Sequence, residues 1–98
     1  MKSEIKLYVV SHKNPSGWME PDIFDTAKAA KDRYDELVSW VKRSFEDDRH
    51  YVVSILRYTS SHTGKMDCRW VATYNRYDDT FSKTSDGLWE EFCREAEE

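Results

Sequence analysis

Ninety-eight residues, 39% hydrophobic and 35% charged with a net charge of −4, make one domain around one core, too short for a separate catalytic lobe. No apolar run approaches the ~20 residues of a membrane-spanning helix, and the N-terminus lacks the basic-then-apolar pattern of a secretory signal. Cys68 and Cys93 are lone residues, which suits a reducing, cytoplasmic compartment rather than a disulfide framework.

Residues 4–12 alternate, with Ile5, Leu7 and Val9 set against Lys6, Tyr8 and Val10, which predicts a strand with one strongly apolar face. Asn14-Pro15-Ser16-Gly17 carries proline and glycine at the favoured places of a type I turn. Residues 18–24 return as a second strand, placed at an edge because Pro21 has no N–H. Asp25 or Thr26 caps a helix over 26–45. Ala27, Ala30, Tyr34, Leu37, Val38, Val41 and Phe45 form its apolar stripe, and Lys28–Asp32, Lys31–Asp35 and Lys42–Glu46 are opposite charges four apart on its outer face.

Residues 51–59 and 65–74 read as a hairpin. If Thr59 lies opposite Lys65, Val52, Ser54, Leu56 and Tyr58 share a face with Met66, Cys68, Trp70 and Ala72, and that face is taken as the core. Val53 then pairs with Val71, and Arg57 with Asp67 as a favourable charge pair. Residues 75–84 read as a polar loop. Thr84, Ser85 or Asp86 caps a final helix over 86–97, with Leu88, Trp89, Phe92, Cys93 and Ala96 inward and Gly87 weakening its first turn by about 1 kcal/mol. The expected architecture is α+β, in the order ββαββα, with a four-stranded antiparallel sheet and two helices on one face.

Little of this chain has the makings of a known chemistry. Gly17, Gly64 and Gly87 are scattered, so no phosphate-cradling loop can be assembled. His12, His50 and His62 lack the short spacings of zinc ligands and are read as solvated. Cys68 is assigned to the core and Cys93 to the helix stripe. No catalytic residue, metal or cofactor is assigned.

Two features remain. Aromatic residues make up 14% of the chain, and Trp18, after a turn, and Trp40, off the helix stripe, are candidate interface residues. Charge is uneven: residues 1–77 hold 13 basic and 11 acidic residues, residues 78–98 two basic and eight acidic. Asp78, Asp79, Asp86, Glu90, Glu91 and Glu95 therefore form a candidate acidic surface for a basic protein partner. Glu95 also faces an unfavourable helix dipole at its end.

In this compact, acidic, aromatic-rich style the chain is similar to small accessory proteins of phages and other mobile elements, some of which block host factors by binding them; no motif carries the likeness. With no chemistry motif, surplus aromatics and a concentrated acidic segment, the expected function is a small non-catalytic protein-binding domain, in that likeness an inhibitor of a host nucleic-acid-handling protein acting through its acidic, aromatic-rich surface. The alternative is a nucleic-acid-binding module using Arg57, Arg69 and Arg76 beside Tyr58, Trp70, Tyr74 and Tyr77, although alternation turns Arg57 and Arg69 away from Tyr58 and Trp70. An uncharacterised small enzyme is the second alternative. Homodimerisation through Trp18 or the proline-interrupted edge is the competing use of the same surface.

Overall fold

A computed structural model describes residues 5–44, 51–60 and 63–97. The order of elements is β1 (Ile5–Asn14), β2 (Gly17–Trp18), β3 (Asp22–Phe24), α1 (Ala27–Ser44), β4 (Val52–Ser60), β5 (Met66–Asn75), β6 (Thr80–Lys83) and α2 (Leu88–Ala96). The α+β class and the antiparallel sheet agree with the sequence reading. The sheet has six strands rather than four, in the order β2-β1-β4-β5-β6, with β3 also on the outer side of β1.

Both extra strands have local causes. The return strand is cut in two: Trp18 pairs with Lys13, Ile23 pairs with Val9, and Met19-Glu20-Pro21 between them is outside the ladder. Pro21 cannot donate, so the break falls at the sheet edge, where it costs no bond to an interior neighbour. The supposed loop contains β6, which pairs Thr80 with Asn75 and Lys83 with Ala72. A tight turn makes this reversal. Asp79 takes a positive φ of 54° and its N–H reaches the Arg76 carbonyl.

Helix α1 follows its pattern. Ala27, Ala30, Tyr34, Leu37 and Val41 are buried, Thr26 Oγ1 accepts the Ala29 N–H as a cap, and the Lys28–Asp32 and Lys31–Asp35 pairs form. Helix α2 is anchored by Leu88, Phe92 and Ala96. Gly87 precedes it at φ 86°, so this glycine supplies a left-handed entry and does not weaken the helix interior. Asp86 Oδ1 accepts the Leu88 N–H. Phe45, Glu46, His50 and His62 lie outside the described residues.

The β4–β5 hairpin departs most from expectation. Thr59 lies opposite Asp67, and Arg57 lies opposite Arg69, two residues from the predicted register. A two-residue shift keeps the faces of the pairing. The irregularity opposite Ile55 and Leu56 does not: Leu56 pairs with Trp70, Ile55 with Ala72, and Val71 is the extra residue of a β-bulge. Val71 and Ala72 both point inward, 0% exposed.

The core face is also the reverse of the predicted one. Tyr8, Val10, Val53, Ile55 and Tyr74 are buried under the helices. Leu7, Val9, Leu56 and Tyr58 are only half-buried, and Cys68 is exposed. Both helices pack on one side, in contact with each other and with β1, β3, β4 and β5. A Tyr8–Phe92 ring contact at 5.5 Å joins the sheet to α2, and Tyr34–Trp89 at 5.8 Å joins the two helices. Among the described residues, no helix packs on the other side of the sheet, which is bare of them.

Candidate functional site

The bare face is built by register. One row across the strands runs Ile23, Val9, Leu56, Trp70, and the next runs Leu7, Tyr58, Cys68. A third row is all hydroxyl: Ser11, Ser54, Thr73, Ser82. Trp18 stands across from Lys13 at the edge of the same face. Among the described strand residues, Lys13 is the only charged side chain this face presents. That is unusual in a chain that is 35% charged.

Exposure is high where it is least expected. Ile23 is 63% exposed, Ile5 61%, Trp18 58%, Met66 57% and Trp70 38%. Monomeric proteins rarely leave contiguous apolar surface of more than a few hundred Å² open to water. Three of the polar groups here are paired with one another. Trp70 Nε1 donates to Thr73 Oγ1 at 2.7 Å, and Ser54 Oγ lies 2.8 Å from the same oxygen. Trp18, Trp70, Leu56, Ser54 and Ser11 line a recess of about 380 Å³ on this face.

The opposite face carries the charges. β1, β4, β5 and β6 direct Lys6, Arg57, Arg69 and Lys83 toward α2 and its lead-in, where Glu95, Glu91, Asp86 and Glu90 meet them in turn. The acidic segment is thus the counter-charge of a basic sheet. Arg57 is 9% exposed, its Nη1 is 2.9 Å from Glu91, and its Nε has no hydrogen-bond partner. Burial pushes the Glu95 carboxyl up, but hydrogen bonds from Tyr8 (2.6 Å) and Lys6 (3.0 Å) outweigh it and hold the group below its ordinary value. The unfavourable dipole at this helix end is offset by those bonds. Lys83 holds Glu90 below its ordinary value. A groove of about 440 Å³ beside the network is walled by both signs, Lys6, Arg57 and Arg69 with Asp67 and Glu91 among them.

The other candidates are dispersed. Burial, with the Tyr74 hydroxyl donated to Asp79 at 2.6 Å, raises that phenol to about 12. Asp78 accepts from Thr80. Trp40, 39% exposed, meets Tyr51 edge-on on the helix side and lines a groove with His12 and Arg33. His12 is half-buried rather than solvated, and burial and Arg33 depress its pKa. Arg76 lies in the turn after β5, where its N–H donates to the Tyr51 carbonyl. Arg57 and Arg69 are on the face opposite Tyr58 and Trp70, so aromatic and cation are not combined.

Burial raises the Cys93 thiol, the opposite of nucleophile activation. Among the described residues, no three His, Cys, Asp or Glu side chains are placed to hold a metal, and no helix is long and apolar enough to cross a membrane.

Of the bare-face residues, sequence reasoning named only Trp18 as an interface candidate. The missed signal was the apolar character of both faces of β1 and β4, with nothing local to say which one the helices cover. Comparison with protein-family models, curated proteins and solved structures gives no match to this chain.

Proposed function

We propose that the protein is a non-catalytic protein-binding domain whose interface is the bare face of its sheet. The carrying observation is a surface of aromatic, aliphatic and methionine side chains on which, among the described strand residues, Lys13 is the one charge and Ser54, Thr73 and the Trp70 indole are hydrogen-bonded to one another. Interface cores are depleted of charge and enriched in aromatics and methionine. Burying this face strands few polar groups, so desolvation costs little.

The expected class, binding by surface complementarity, is kept, and the surface is moved. Inhibition of a basic, nucleic-acid-handling partner through the acidic segment has less support, because Asp86, Glu90, Glu91 and Glu95 each already hold a cation of the same chain. Nucleic-acid binding has less support for the complementary reason: Arg57 and Arg69 are neutralised by Glu91 and Asp86.

The test is cross-linking mass spectrometry on protein expressed in cells, with contacts to a second copy counted. Trp18→Glu with Trp70→Glu is expected to abolish protein contacts. Asp78→Lys with Glu90→Lys is expected to leave them in place. The reverse result would assign the interface to the acidic segment and end this reading.

A further inference from the structure

We infer that the occupant of the bare face is a second copy of this chain, packed sheet against sheet about a twofold axis. The inference rests on the reading of that face as the interface and adds the partner's identity.

Charge is the first argument. A partner selected electrostatically needs a patterned surface, and Lys13 at one edge is the only charge the described strands offer it. An isologous contact needs only self-complementarity, and homodimer interfaces are the more apolar ones. The chain's net charge of −4 does not oppose the pairing closely. The acidic groups of α2 lie on the covered side and would face outward in the dimer, two sheet layers apart. At about 10 Å between packed sheets, they are separated by more than a Debye length of about 8 Å.

Area is the second. Strands of 10, 9 and 10 residues, with about 3.3 Å rise and 4.8 Å spacing, present on the order of 450 Å² in projection, and the short outer strands bring this to about 600 Å². The accessible surface of such a corrugated face is larger than its projection. A stable complex needs about 800 Å² from each partner, so the face is of the right size only if most of it is used. A second sheet, crossing at about −30°, is the object that covers a sheet face so completely.

Polar bookkeeping is the third. In a twofold sandwich the hydroxyl row meets its own copy or the apolar rows. Either is tolerable, because Ser54, Thr73 and the Trp70 indole are already bonded among themselves. A sheet face built to stay wet has no need of that arrangement.

Cys68 supplies a reporter. It is exposed on this face, opposite Tyr58, and would be covered by the second copy. The experiment combines light scattering after size exclusion with thiol labelling of Cys68 by dithionitrobenzoate in a Cys93→Ala background, both from low micromolar to several hundred micromolar protein. A mass of twice 11.7 kDa is expected at the upper end, with labelling slowed in proportion to the remaining monomer, about twofold at the dissociation constant and about tenfold far above it. Trp70→Glu and Ile23→Glu should give folded monomers by circular dichroism, labelled fast at every concentration. Ile23, 63% exposed in a three-residue edge strand, keeps the test valid if Trp70→Glu fails to fold. A monomer throughout, with concentration-independent labelling, overturns the second-copy occupant and leaves the bare face open to another protein. A dimer that survives both substitutions with Cys68 fully reactive overturns this inference and the bare-face reading together, and transfers the contact to the exposed edge of β6.

Discussion

Arg57 shows how a single side chain can be costly and still fixed in place. Its guanidinium is withdrawn from water, Glu91 meets one nitrogen, and Nε meets nothing. A charge buried with incomplete hydrogen bonding contributes little net stability, yet removing its partner is expensive. Glu91→Ala is therefore expected to destabilise by about 2–3 kcal/mol, less than the 3–5 kcal/mol of a fully buried pair because Glu91 is half-exposed. Arg57→Met, which removes the charge and keeps the volume, should cost distinctly less; urea unfolding of both variants measures the difference. If Arg57→Met were the more damaging, the guanidinium would be a net stabiliser and this account would fail. Gly87 offers a second residue-scale check. A Cβ there meets open space, so Gly87→Ala should cost only the left-handed backbone penalty of about 1–2 kcal/mol, with α2 content unchanged in the far-ultraviolet spectrum.

At the scale of elements, α2 is held by two kinds of force that respond differently to solution conditions. Leu88, Phe92 and Ala96 supply the apolar anchor, and four ion pairs tie the helix and its lead-in to four strands. Glu95 titrates below its ordinary value of 4.5 in the fold, so its stabilisation is complete above that value and is lost as pH falls through the lower, folded one. Acid should loosen α2 before the sheet, read as a drop in the urea midpoint below pH 4.5 that Glu95→Gln and Tyr8→Phe both flatten. An unchanged pH profile in these variants would remove Glu95 from the account. Legibility in the sequence follows the same division. Helix α1 was readable because its apolar residues repeat with one period on one side. The ion pairs were not, because Glu91 and Arg57 are 34 positions apart and each cation is an ordinary strand residue until the fold places it. The core face of β4 was ambiguous, since Val52, Leu56 and Tyr58 are as apolar as Val53 and Ile55. The helix packing that decides between them is not local.

For the whole molecule, the consequence is a division of labour between two sheet faces. One is paired with helices and neutralised within the chain, and the other has no cover among the described residues. Association through the bare face, as proposed, would be hydrophobic, so it should persist in molar salt while the α2 ion pairs weaken. Thermal midpoints should rise with protein concentration in the wild type and be independent of it in Trp70→Glu; a concentration-independent wild-type midpoint would argue that the folded unit is the monomer. Much of this depends on how β5 keeps time. A regular strand beats in twos, and residues three apart face opposite ways. Trp70 and Thr73 are three apart and hydrogen-bonded on one side, which the extra beat at Val71 allows. That syncopation lets one strand send Val71 and Ala72 into one interior and then return Thr73 to lock the Trp70 indole on the other. The Val71 carbonyl accepts the Thr84 N–H and so continues the ladder to β6. Deleting this one residue would return the strand to an even count. Trp70 would lose its latch, and everything beyond it, β6 included, would be turned to the wrong side.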